Sequence, residues 1–136
     1  MLFRSGNYLS VTTNQDRVLN AMANQRVNQV LGNPYGDKTT SNYLNAAAFT
    51  LPALGTLGNM GKSSIPGPGT WQFDTALSRT FQVREGQRME FRAEAFNVTN
   101  SLHMNDPVTN LNSNTFGQVT SAKDPRIMQF ALKYFF

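Results

Sequence analysis

With 136 residues, of which 40% are hydrophobic and 11% aromatic but only 15% charged, the chain falls well below the roughly 25% charge of an ordinary soluble domain; Asn, Gln, Ser and Thr supply most of its polarity, a mix suited to a surface wet on one side and apolar on the other. The net charge of +4 comes from twelve basic residues scattered without a Lys/Arg run or a basic helix face, which argues against a nucleic-acid partner. There is no cysteine, so disulfides and thiolate metal sites are excluded, and no apolar run reaches the roughly 18 to 20 residues of a transmembrane helix.

In chain order, Met1 to Gly6 lack the apolar core of a signal peptide. An export signal is therefore expected elsewhere, and the chain is expected to be part of a longer one. A first strand is predicted near residues 2–12, with Leu9 and Val11 on one face. Residues 13–69 hold Pro34, Pro52, Pro66, Pro68 and most of the glycines and read as a long irregular loop. Inside it, Val18, Leu19, Met22, Val27, Val30 and Leu31 have partial helical spacing, which predicts a short loop helix. Asn, which favours turns over strands, is absent from Met60 to Phe96 and again after Asn114. Strands belong in those stretches.

Residues 70–83 alternate at period two. Trp71, Phe73, Thr75, Leu77, Arg79, Phe81 and Val83 share one face; Gln72, Asp74, Ala76, Ser78, Thr80 and Gln82 share the other. Residues 88–98 alternate as well, with Met89, Phe91, Ala93 and Ala95 opposite Arg88, Glu90, Arg92 and Glu94. That charged face fits a solvated surface in a soluble sheet or a wet lumen in a barrel. Joining like faces through Arg84-Glu85-Gly86 requires Gln82 to pair with Arg88 and Thr80 with Glu90. The loop then ends on a glycine where a left-handed residue is wanted. Residues 99–124, with Pro107 and Gly117, form the second long loop. Residues 126–136 form the last strand, with Met128, Phe130, Leu132, Tyr134 and Phe136 on one face and Ile127, Gln129, Ala131, Lys133 and Phe135 on the other.

An apolar residue at every second position back from Phe136 resembles the C-terminal signature of bacterial outer-membrane barrels, which the barrel assembly machinery reads. Such a strand faces lipid with alternate residues and carries aromatics at the interface. If it descends to a periplasmic C-terminus, residues 88–98 ascend and 70–83 descend. Arg84, Glu85 and Gly86 then make a short periplasmic turn, and the loops 13–69 and 99–124 are extracellular, the length asymmetry of outer-membrane barrels. The predicted fold class is all-β: antiparallel up-and-down strands of a transmembrane β-barrel, about four of them, with two long irregular loops. Asp74, Arg88, Glu90, Arg92 and Glu94 are expected to face the lumen.

Several segments carry a closer likeness. They are Gln29-Val30-Leu31-Gly32-Asn33-Pro34-Tyr35-Gly36-Asp37, Tyr43-Leu44-Asn45-Ala46-Ala47-Ala48-Phe49, Ala53 to Gly61, Gly67-Pro68-Gly69, Phe91-Arg92-Ala93-Glu94-Ala95-Phe96-Asn97-Val98-Thr99-Asn100, Phe116-Gly117-Gln118-Val119-Thr120 and Asp124-Pro125-Arg126-Ile127-Met128-Gln129-Phe130. Together, over residues 24–136, they resemble the C-terminal barrel end of Oar-like TonB-dependent receptors of Gram-negative bacteria, proteins that usually begin with a carboxypeptidase-regulatory-like domain. The resemblance implies active uptake of a bulky solute across the outer membrane. Its implied partners are outer-membrane lipid, the rest of the barrel and its plug, the assembly machinery, and TonB acting through an N-terminal part outside these residues. It implies no enzyme activity and no cofactor.

Other motifs carry less. Gly61-Lys62-Ser63 has the tail of a phosphate-binding loop, but Thr56 stands where the motif needs Gly. His103, the only histidine, reads as a solvated loop residue, and with Asp106 it makes no transition-metal set. Asp37, Asp106 and Asp124 are possible outer-loop calcium contacts. Glu90 and Glu94 alternate with Arg88 and Arg92, which favours ion pairing over paired catalytic carboxylates, and one histidine leaves no Ser–His–Asp arrangement to argue. Asn97-Val98-Thr99 is a short sequon with no weight here. Arg79 is the discordant residue, a charge on the apolar face that costs about 2–4 kcal/mol at mid-bilayer and roughly 0–1 near the interface, where a long side chain can snorkel. Two alternatives stand beside the receptor: a soluble β-sandwich binding or adhesion module, whose apolar faces would meet in a dry core, and the end of a passive porin.

Overall fold

A computed structural model describes residues 1–136. The architecture is all-β with every strand pair antiparallel, and the chain divides into two compact units. A sheet unit contains Met1–Arg4, Thr70–His103 and Lys123–Phe136; a loop unit contains Ser5–Gly69 and Met104–Ala122.

In the sheet unit, β1 (Leu2–Arg4) pairs with β8 (Thr70–Gln72), placing Phe3 opposite Trp71. Three long strands, β9 (Thr75–Arg84), β10 (Gln87–Phe96) and β11 (Ile127–Phe135), form an antiparallel sheet in the order β11-β10-β9. The β9–β10 register sets Gln82 opposite Arg88 and Thr80 opposite Glu90, with a bulge between Gln87 and Arg88. This is the register that like-faced pairing through the turn requires. Gly86 takes φ +78°, the left-handed conformation that only glycine adopts without strain. On the other side of β10, Phe91 faces Leu132 and Arg92 faces Ala131.

The predicted strand 70–83 is interrupted at Phe73-Asp74. The Asp74 carboxylate accepts from the Asn97 amide and from the Gln72 side chain, both at 2.8 Å, while the Phe73 carbonyl accepts from the Val98 amide at 2.9 Å. The predicted strand 88–98 ends at Phe96 because Asn97 turns to φ +50°. Asn97 tolerates that conformation and ties off the turn through two bonds with the Ser101 backbone. So few strands leave the barrel open, since closure in a membrane takes at least about eight.

The loop unit differs from the irregular loops expected for 13–69 and 99–124. It contains two-residue ladders: β2 (Tyr8–Leu9) with β7 (Ile65–Pro66), β3 (Thr12–Thr13) with β4 (Gln25–Arg26), and β5 (Asn28–Gln29) with β6 (Phe49–Thr50). The strand expected near 2–12 is thus three short pieces, because Ser5 to Asn7 break the ladder and each piece finds a different partner. The two segments of the unit are also stitched to each other. The Thr12 amide donates to the Thr109 carbonyl and the Leu111 amide to the Thr12 carbonyl, and the amides of Tyr43 and Leu44 both donate to the Gly117 carbonyl. Leu9, Val11, Val27, Tyr43, Leu44, Ala48, Phe49, Met60 and Ile65 are buried between them as one core.

No helix forms over residues 18–31. Leu19, Ala21 and Asn24 have φ near +60°, and side chains compete for the backbone there. Asp16 accepts from the amides of Asn20 and Ala21, and the buried Gln25 accepts from the amides of Arg17 and Val18 while donating to the Met22 carbonyl. The only helical turn is a 3-10 turn at Ala46–Ala48, capped by the Asn45 side chain on the Ala47 amide.

Candidate functional site: the two faces of the sheet

Antiparallel register converts the period-two pattern of three strands into rows. On one face the rows are Thr75–Ala95–Met128, Leu77–Ala93–Phe130, Arg79–Phe91–Leu132 and Phe81–Met89–Tyr134. No sheet or loop covers this face: Leu77, Phe130 and Leu132 are each 65% exposed. Phe91 and Phe130 stack with centroids 6.4 Å apart, and Phe136 lies 6.4 Å from Tyr134. The Tyr134 hydroxyl reaches Gln87 Oε1 at 2.9 Å, at the turn end of the sheet. An aromatic ring with a wet polar tip is what a membrane–water interface selects. Met128, Phe130, Leu132 and Tyr134 therefore share one apolar surface, with Phe136 next to Tyr134.

The opposite face is polar. Its rows are Ala76–Glu94–Gln129, Ser78–Arg92–Ala131, Thr80–Glu90–Lys133 and Gln82–Arg88–Phe135. Arg92 and Glu94 form an ion pair at 2.6 Å, and the Arg88 guanidinium sits 4.6 Å over the Phe135 ring. Arg88 and Glu90 make no ion pair, so the expected pairing covers only half of the charged stripe. Asp74 lies in the break between β8 and β9, outside the paired rows, and its carboxylate is occupied by Asn97 and Gln72. Phe135 was not legible as a face-mate of Arg88 from one strand alone; only the β10–β11 register brings them together. Glu85 and Gly86 make the tight turn, and Arg84 closes it opposite Gln87.

His103 corrects a sequence expectation. It is buried, with Nε2 2.6 Å from the Trp71 carbonyl. That contact needs a proton on Nε2, so the imidazole acts as a donor bracing the β8 end of the sheet unit. Lys123 is tied to the same residue, its amide donating to the His103 carbonyl at 2.8 Å. In the loop unit, Asp37 accepts from Thr39, and Asp106 accepts from Asn7 Nδ2 at 2.9 Å. No three metal-ligating side chains lie together. Desolvation pulls the Asp16 carboxyl upward, but hydrogen bonds from the Asn20 and Ala21 amides and the Gln25 side chain outweigh it and hold the group below the usual aspartate value. Gly61 to Ser64 close on themselves through the Ser64 hydroxyl and the Gly61 carbonyl, an ordinary turn rather than a phosphate cradle.

An antiparallel sheet with an uncovered apolar face, a charged opposite face, a tight turn at one end and an interfacial aromatic row is the wall of a membrane β-barrel. The family model for the outer membrane beta barrel domain matches residues 1–129. The chain belongs to that family, and its place is the outer membrane. Phe130, Leu132, Tyr134 and Phe136 lie beyond the matched residues. No curated protein and no solved structure matches the chain.

Proposed function

We propose that this chain is part of the barrel of a TonB-dependent receptor that actively imports a bulky solute, rather than an enzyme. The observation that carries the reading is the asymmetry of the hairpin ends. One end is the tight Glu85-Gly86 turn, whereas residues 5–69 and 104–122 fold around a shared core. Short turns belong to the periplasmic side of such barrels and long loops to the outside. A packed loop unit suits capture of a large ligand better than a bare pore mouth does. The Oar-like segments, above all Phe91 to Asn100 and Asp124 to Phe130, support the same assignment. In this reading Arg88, Glu90, Arg92 and Glu94 face the lumen, Asp74 ties the wall at its outer end, and Arg84, Glu85 and Gly86 are periplasmic. The row from Met128 to Phe136 is then the surface that the barrel assembly machinery engages, and the apolar face meets lipid. The plug and TonB are partners of the whole receptor.

The deciding experiment is energised uptake by the full-length parent. Accumulation of the solute should stop when TonB is deleted or a protonophore is added. A passive porin, the reading that the charged stripe with Lys133 also suits, would continue to equilibrate the solute without TonB. A soluble sandwich finds no support, because its apolar face would be covered.

A further inference from the structure

We infer that Arg79 binds the phosphate of a phospholipid in the periplasmic leaflet, with the lipid's acyl chains lying along the apolar face beside it. The inference rests on the outer-membrane assignment and on the turn at Glu85-Gly86 being periplasmic.

Arg79 is the one charged residue in the four apolar rows. Phe91 and Leu132 flank it across the sheet, and Leu77 and Phe81 flank it along its own strand. None of these rows contains a carboxylate, and Arg79 makes no ion pair. A guanidinium held against hydrocarbon without an anion is costly, so within these three strands the site is electrostatically incomplete.

The direction of the side chain says where the anion lies. The guanidinium carbon sits 5.2 Å over the Phe81 ring, so the side chain leans toward the turn. Phe81 shares its row with Met89 and Tyr134, and Tyr134 marks the interface through its hydroxyl bond to Gln87. Two residues of strand separate Arg79 from that row, roughly 6.6 Å at about 3.3 Å per residue. A snorkelling arginine spans that gap. Its head then arrives at the depth of lipid phosphates, with the planar fork that matches phosphate oxygens and an aromatic platform beneath it. The apolar flank of Leu77, Phe130 and Leu132, open over its whole surface, accommodates acyl chains. The shape and charge therefore fit an amphipathic phosphodiester. A free phosphate would have no use for the flank.

The test is native mass spectrometry of the delipidated full-length parent in neutral detergent, offered phosphatidylglycerol, diacylglycerol with the same acyl chains, lipid A, or inorganic phosphate. The wild-type protein should retain phosphatidylglycerol about tenfold over diacylglycerol, the scale of a charge-assisted contact. Arg79→Gln should abolish that preference while its heat-modifiable, folded fraction is unchanged. Persistence of the preference in folded Arg79→Gln overturns the proposal, and so does displacement of the lipid by millimolar inorganic phosphate. Preferential binding of lipid A would overturn it through the orientation, placing this end of the sheet outside. If Arg79→Gln does not fold, Arg79→Leu, which suits the apolar face, decides in the same sense: loss of the preference in the folded protein supports the site, and its persistence refutes it.

Discussion

Gly86 and Gly117 form a matched pair for testing the packing of the two units separately. Both are left-handed, at φ +78° and +76°, so replacing either with alanine imposes about the same strain, roughly 1–2 kcal/mol. They differ in what a new methyl would meet. At Gly86 nothing lies within 4 Å, whereas at Gly117 the added carbon would stand 2.3 Å from the Leu44 carbonyl oxygen. That oxygen is backbone and cannot swing away, so the two chains must separate. Separation weakens the bonds from the Tyr43 and Leu44 amides to the Gly117 carbonyl, at 2.8 and 3.1 Å. At about 1 kcal/mol each, their loss brings the Gly117→Ala cost to roughly 3–4 kcal/mol. The gap of about 2 kcal/mol between the variants is about 30-fold in a local opening constant. Hydrogen exchange on the full-length parent reads it directly. In Gly117→Ala the Tyr43 and Leu44 amides should exchange faster by at least that factor, with the β9–β10 amides unchanged. In Gly86→Ala the effect should be smaller and confined to the hairpin. Equal effects of the two changes, or protected Tyr43 and Leu44 amides in Gly117→Ala, would refute the reasoning.

Three further outcomes are expected. The lowered Asp16 carboxyl stabilises the loop of residues 16–25 at pH above the ordinary aspartate value and loses that contribution as pH falls through its depressed value; pepsin should therefore begin to nick at Leu19 only once the pH is below the ordinary aspartate value, whereas Asp16→Asn should already be nicked at that value. On intact cells, an impermeant thiol reagent should label Leu54→Cys and miss Glu85→Cys, and the reverse pattern would invert the membrane orientation. Phe136→Ser should lower the folded, heat-modifiable fraction in outer membranes more than Phe135→Ser, because Phe136 extends the Tyr134 row while Phe135 is covered by Arg88 on the polar face. Burying such a ring is worth about 1.5–3 kcal/mol, and equal losses would count against the assembly-surface reading.

The sheet was legible in the sequence because its chemistry is local. Alternation named the two faces of residues 70–83 and 88–98, of which 75–83 and 88–96 form long strands, and Gly86 together with that alternation fixed their register. The loop unit was not legible, for a physical reason. Its core joins Leu9, Val11, Val27, Leu44, Phe49 and Ile65 from ladders two residues long, too short to leave a period. Hydrophobic spacing at Val18, Leu19 and Met22 suggested a helix because it ignored the neighbouring side chains of Asp16 and Gln25, which capture the amides a helix would need. His103 was misread as solvated because nothing near it in sequence signals the Trp71 carbonyl. The charged stripe was legible as a stripe, but the partition of its partners, Arg92 with Glu94 and Arg88 with Phe135, depends on rotamers and on the strand next door.

The stitching of residues 5–69 to 104–122 has a practical corollary. To the loop unit, the membrane hairpin is an excursion: the chain leaves at Gly69 and returns at Met104. The excursion's own ends are held together, with His103 bonded to the Trp71 carbonyl. A spliced chain in which a few Gly and Ser residues replace 70–103, trimmed of 1–4 and 123–136, would retain every buried residue of the loop-unit core and discard the exposed apolar rows. On the proposed orientation such a chain would present the receptor's outer loops, and its expression without detergent would test whether the loop unit folds by itself.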